Sequence, residues 1–178
     1  MTSKIKVNIL ADGGDNSIIT SDGAGSFTAS SGLATGVLAN TPAFRAYQGS
    51  TQSISDSTLT VLNIDTENFD TDGAFDTSTY RFTPQVTGKY FVFGGMRYTA
   101  TSNYDTNFDM EIRKNGSGVA RCRHPVNHGD SFYVGTILEM NGSTDYANLT
   151  VYHTAGLSLT VDNGQGETFL GAYRIIGA

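Results

Sequence analysis

The chain has 178 residues, 38% of them hydrophobic, which suits one ordinary domain with an appendage. A net charge of −6 and a pI of about 4.8 argue against binding to a nucleic-acid backbone. The single cysteine, Cys122, excludes an intrachain disulfide and reads as a small, buried or half-buried hydrophobe.

Residues 1–41 differ from the rest. Ile5, Val7 and Ile9 alternate with polar residues and predict one short strand. Gly13-Gly14, Ser21-Asp22-Gly23 and Gly25 then break the chain, leaving Ile18-Ile19 and Phe27 as isolated apolar points. Such a segment cannot build a core of its own, so it reads as a tail, an arm or a docking strand. No apolar stretch of signal-peptide length opens the chain, and no run is long enough to cross a bilayer. The expectation is synthesis and assembly in a cytoplasm, without membrane insertion.

From Pro42 onward alternation persists. Phe44-Arg45-Ala46-Tyr47 opens a strand and Ser57 to Ile64 forms a second. DTENFDTDG reads as a polar loop, Tyr80–Phe82 as a short strand and Gly88–Tyr98 as a long one. In FDMEIRK, Phe108, Met110 and Ile112 point one way and Asp109, Glu111 and Arg113 the other. Asn115-Gly116 is the preferred pair for a type I′ hairpin, with VARCRH as the return strand. DSFYVGTILEM, ANLTVYHT and the alternating Leu157, Leu159 and Val161 follow. TFLGAYRII closes the series, with Phe169, Gly171, Tyr173 and Ile175 on one side. No segment carries a helical period. Twenty-one glycines against three prolines fit short strands joined by tight turns, hence an all-β sandwich, jelly roll or barrel. The Asn-x-Ser/Thr triplets at Asn115, Asn141 and Asn148 read as turns and strand starts.

The stretch from residue 64 to 92 resembles the signature of the complement component 1q globular domain, the jelly-roll relative of tumour necrosis factor. That signature spaces an aromatic, an Asn or Asp, a second aromatic, Phe, Gly, Tyr and Phe. Asp70, Phe75, Phe82, Gly88 and Tyr90 fall on its positions in register, while Ile64 and Val92 replace its first aromatic and last Phe. Pro42-Ala43-Phe44 is similar to the family's opening strand, MEIRKNG to its middle hairpin and FLGAYRII to its closing strand. The resemblance covers residues 42–178 and implies an antiparallel ten-stranded jelly-roll sandwich with an extended N-terminal arm. Phe75, Phe82, Gly88, Tyr90, Phe169 and Tyr173 would be its structural core signature. It further implies a compact homotrimer whose far-end loops and outer faces bind partners, with calcium near the three-fold axis in some members. The segment MTSKIKVNILADGGDNSIITSDGAGSFTA resembles the N-terminal arms of bacteriophage tail fibres and head decorations.

Other candidate sites are few. Six acids, Asp56, Asp65, Glu67, Asp70, Asp72 and Asp76, lie between Arg45 and Arg81 with no base among them; the plain reading is solvated turns. Asp70, Asp72 and Asp76 around Gly73 are a fragment of calcium-loop chemistry, set against an Asx-rich turn. His124 and His128 stand four apart, but Pro125 and the strand pattern deny them a helix, and His153 has no sequence partner. Arg97, Arg113, Arg121 and Arg123, with Tyr98 and Tyr104, offer either a surface for anionic glycans or a partner protein, or intersubunit ion pairs. No nucleophile elbow and no phosphate loop appear. The sequence therefore suggests a non-enzymatic phage virion protein: a trimeric head docked to other virion proteins through residues 1–41 and turned toward a host surface glycan or protein. A bacterial glycan-binding or adhesion module, and a polysaccharide-degrading virion enzyme using paired carboxylates, are the alternatives.

Overall fold

The computed structural model describes residues 9–11, 13–14, 16–21, 23–24, 27–29, 40–99, 104–126 and 130–175. The chain divides into two compact units, Met1–Ala39 and Asn40–Ala178.

In the first unit, β1 (Ile9–Ala11), β2 (Ser17–Ser21) and β3 (Phe27–Ala29) form a three-stranded antiparallel sheet. Leu10 pairs with Ile19, and Ile19 with Ala29. Three strands stand where one was expected, because the Gly-rich breaks act as hairpin turns. Ile5 and Val7 lie outside the described residues. None of Ile9–Ala11 or Ser17–Ser21 is buried, as suits a sheet so small.

The second unit holds β4 (Ala43–Tyr47), β5 (Gln52–Ile54), β6 (Thr60–Val61), β7 (Thr66–Asp70), β8 (Phe75–Asp76), β9 (Arg81–Phe82), β10 (Gly88–Thr99) and β11 (Tyr104–Lys114). It continues with β12 (Ser117–Val126), β13 (Ser131–Met140), β14 (Ala147–His153), β15 (Leu159–Val161) and β16 (Phe169–Arg174). All pairings are antiparallel. One sheet runs β5-β15-β10-β16-β4-β7 with β13 also on β10; the other runs β12-β11-β14-β9-β8 with β6 also on β14. Among the described residues this unit has thirteen strands, not ten, because polar turns cut several into two- or three-residue pieces.

The core follows from alternation. Tyr90, Val92, Met96 and Tyr98 of β10 point inward, toward Phe108, Met110 and Ile112 of β11 and Leu149 and Val151 of β14. Each such side chain contributes roughly 1.5–3 kcal/mol by leaving water, which binds the two sheets into one layer pair. The hairpin between β11 and β12 turns at Asn115 (φ 50°) and Gly116 (φ 79°), as a type I′ turn requires.

Two expectations change. DTENFDTDG contains β7, whose Phe69 pairs with Arg45 of β4. Its polar text belongs to an edge strand, where charge discourages pairing with another chain. The strand expected over Ser57 to Ile64 shrinks to β6, and Leu62 and Ile64 enter the core from irregular backbone.

Candidate interaction surface

Phe44, Phe75, Phe82 and Tyr90 form one aromatic corner of the core. Phe44 stacks on Phe75 at 4.5 Å and on Phe82 at 4.8 Å, and Phe82 meets Tyr90 edge-on at 5.5 Å. The Tyr90 hydroxyl donates to the Val86 carbonyl at 2.7 Å. Gly88 opens β10 instead of making a turn; its φ is +153°, and a Cβ there would lie 3.0 Å from Arg174 Nε. Ile64 and Val92 are fully buried. This stretch is a packed corner with no cleft for chemistry.

Phe169 and Tyr173 do not belong to the core. In β16 the inward residues are Leu170 and Ala172, so Phe169 and Tyr173 take the opposite parity and lie on the outer face of the β10 sheet. Three cross-strand rows cover that face. One runs Ala43, Tyr173, Phe91, Ile137; the next Phe69, Arg45, Gly171, Phe93, Gly135; the third Tyr47, Phe169, Gly95, Tyr133. Large rings alternate with glycines. A Cβ on Gly171 would sit 2.6 Å from Phe93 Cζ, and one on Gly95 would sit 2.9 Å from the Phe169 and Tyr133 rings. The rings therefore lie over the glycines, and only glycine leaves them that room. Phe91 stacks with Phe93 at 5.7 Å, and Phe169 lies 6.4 Å from Phe93 and 6.3 Å from Tyr133. The Arg45 guanidinium covers Phe169 at 4.8 Å while donating to Asn68 Oδ1 and the Gln165 carbonyl. Tyr133 is nevertheless 61% exposed, Ile137 58%, Phe69 50% and Tyr173 41%.

Sequence reading missed this face because it counted one parity per strand. The available signal was the run KYFVF, apolar on both parities, which marks a strand covered on both sides.

The outer face of the other sheet is charged and internally neutralised. Asp109 pairs with Arg123 and Glu111 with Arg121 across β11 and β12. Arg123 forks onto Asp109, with Nη2 to Oδ2 at 2.5 Å. Glu111 accepts from Arg113 Nη1 at 2.7 Å and from Arg121 Nε at 2.5 Å. The carboxylates are only 6% and 5% exposed, so the guanidinium groups roof them. Hydrogen bonding to Asp109 raises the Arg123 pKa further. Arg113, Arg121 and Arg123 are thus each paired with a carboxylate of the same chain, while the Arg121 and Arg123 side chains remain about half exposed. Arg97 stands apart, 3.8 Å from Asp162 and 3.5 Å from Glu167. Tyr98 is a core residue, and the Tyr104 side chain lies outside the described residues.

The acidic candidates cap turns. Asp70 accepts from the Phe75 amide at 2.7 Å and the Asp72 amide at 3.2 Å. Asp76 accepts from the Ser78 hydroxyl and amide and from Thr79, which together hold its carboxyl down at about 2. Among the described residues no three metal-ligating side chains converge. His124 stacks flat on Phe132 at 3.9 Å; His128 lies outside the described residues. Asn115 and Asn141 serve turns, Asn141 Oδ1 accepting from the amides of Ser143, Thr144 and Asp145. Asn148 is buried within β14, a strand interior with no exposed acceptor site. Cys122 is half-buried against the core.

No protein-family profile matches the chain, and no curated protein does. Solved structures do. Murine APRIL is 12% identical, with the match covering 75% of this chain and 98% of that one at a TM-score of 0.60. The globular domain of zebrafish complement 1qA protein is 14% identical, covering 75% and 96% at a TM-score of 0.50. Eiger TNF from S. frugiperda is 12% identical, covering 76% and 93% at a TM-score of 0.50. At such identities the likeness concerns the fold: the chain carries an antiparallel jelly roll of the tumour necrosis factor and complement component 1q type.

Proposed function

We propose that the chain is a non-enzymatic structural protein of a bacteriophage virion. Its jelly roll is a homotrimeric head. Residues 1–41 dock that head onto other virion proteins, and it projects as a fibre or capsid decoration that binds a host surface or stabilises the shell. The observation that carries the self-association is the aromatic outer face of the β10 sheet. At roughly 150–250 Å² per aromatic side chain, the exposures of Tyr133, Ile137, Phe69 and Tyr173 leave on the order of 400 Å² of apolar surface to water on this one patch. Removing it from water is worth about 10 kcal/mol per copy at ~25 cal/mol per Å², comparable to the ~4–15 kcal/mol cost of association. Around a three-fold axis the contact is heterologous, so this face of each copy would pack on a different surface of its neighbour and close the ring. The opposite outer face is already neutralised by its own arginines and offers no comparable gain. The phage setting is supported by the resemblance of residues 1–29 to virion arms, and assembly would then take place in the host cytoplasm.

Sedimentation velocity of the full chain tests the head. The expected result is a single trimeric species, with Tyr133→Asp and Ile137→Asp together shifting it to monomer while the far-ultraviolet β signal persists. A wild-type chain that stays monomeric across a hundredfold concentration range overturns the reading. Mass spectrometry of purified particles tests the virion setting separately.

A further inference from the structure

One end of the sandwich carries a histidine that the proposed function does not use. Across β12, β11 and β14, His124, Phe108 and His153 stand side by side in register. This row lies at the end of the sandwich opposite the one where β4 begins and β16 ends. His153 is fully buried. Its ring stacks on Phe108 at 5.1 Å and meets Tyr98 edge-on at 6.2 Å.

Both of its nitrogens are engaged. Nε2 lies 3.2 Å from the Ile54 carbonyl of β5, a partner that can only accept. Nδ1 therefore lacks a proton and accepts from the Ala155 amide at 3.4 Å. The nearest charge is Asp56, whose Oδ1 lies 3.8 Å from Nδ1. That same oxygen accepts the Gly156 amide at 2.7 Å, and Asp56 Oδ2 accepts the Ser57 hydroxyl. Tyr98 is the other titratable side chain in ring contact, and its hydroxyl has no hydrogen-bond partner among the described residues.

We propose that His153 and Asp56 form an acid-released latch that holds the segment 154–158 between β14 and β15. A proton on Nδ1 turns that nitrogen from acceptor to donor, so it faces the Ala155 N–H with like polarity. It then draws on Asp56 Oδ1, the atom that holds Gly156. One protonation thus removes the Ala155 bond and sets Nδ1–H in competition with the Gly156 amide for a single carboxylate oxygen. Ala155 also packs, partly buried, against the core, whereas beyond it Gly156 sits at φ +78° and Leu157 is 47% exposed. The segment leads directly into β15, which pairs with the short strand β5 and only the last turns of β10. Release would loosen that end of the sandwich and leave the β10–β16–β4 ladder intact.

The direction in pH follows from burial. Desolvation lowers the His153 pKa below the ordinary value of 6.5, against smaller opposing effects from Ile54 and Asp56. The latch is then closed above about 6.5 and opens as the pH falls through the lowered value.

Amide hydrogen exchange on the full chain, corrected for intrinsic rates, tests the latch between pH 7.5 and 5.0. Protection at Ala155 and Gly156 should fall at least tenfold, while Val92 and Leu170 amides keep theirs. His153→Phe, which retains the ring stack, should abolish the pH dependence. Asp56→Asn keeps an acceptor for Gly156 but removes the charge that favours the cation, so the midpoint should move to lower pH. Protection at Ala155 and Gly156 that does not change with pH overturns the latch, as does equal loss across every strand. If His153→Phe does not fold, Asp56→Asn decides: an unmoved midpoint overturns the proposal.

Discussion

Tyr98 shows how a single residue can be both well packed and chemically unsatisfied. Its ring meets Phe108 at 4.9 Å and Phe132 at 5.9 Å, and the residue is fully buried. Its hydroxyl has no hydrogen-bond partner among the described residues, and burial together with the Asp109 charge pushes its pKa up. A buried hydroxyl without a partner costs about 1–3 kcal/mol. Tyr98→Phe should therefore stabilise the protein by about 1 kcal/mol, raising Tm by about 2–4 °C in calorimetry. A lower Tm would show that the hydroxyl has a partner. At this scale the sequence told a half-truth. It identified Tyr98 as an aromatic worth attention, yet placed it with the arginines of a surface patch. Parity along β10 decides otherwise, since Tyr98 shares its inward side with Tyr90, Val92 and Met96.

Within an element, alternation assigns function to each side of a strand. In β16, Leu170 is fully buried, whereas Tyr173, three residues on, is 41% exposed. Leu170→Ala should cost about 2–5 kcal/mol in denaturant unfolding. Tyr173→Ala should cost the fold less than about 1 kcal/mol and weaken self-association instead. Equal costs would mean that the parity is reversed. The long strands were legible because their period is strong: β10, β11, β13 and β14 all sit where alternation put them. β7 was not, because in TENFD Phe69 is the one apolar residue and gives no alternation. An edge strand is held by backbone hydrogen bonds to one neighbour, which leave no mark on side-chain pattern. The arginine cluster was legible as residues and opaque as a site. Asp109 and Glu111 occupy the expected outward positions of β11, but only the β11–β12 register sets Arg123 and Arg121 opposite them.

At the scale of the whole molecule, the chain divides into two compact units between residues 39 and 40, close to the change of period at Pro42. If the second unit alone carries the self-associating face, a chain lacking residues 1–41 should sediment as the same trimer while failing to enter particles. Loss of the trimer on truncation would instead assign association to the first unit. What the sequence by itself determined was the all-β class, the inward set of the long strands and the aromatic corner at Phe82 and Tyr90, because alternation and turn chemistry are local properties of the chain. The outer aromatic face, the roofed carboxylates and the His153–Asp56 contact were decided only by tertiary structure. Each depends on strands far apart in sequence meeting in one particular register, and a shift of a single residue would turn every one of those side chains to the other side.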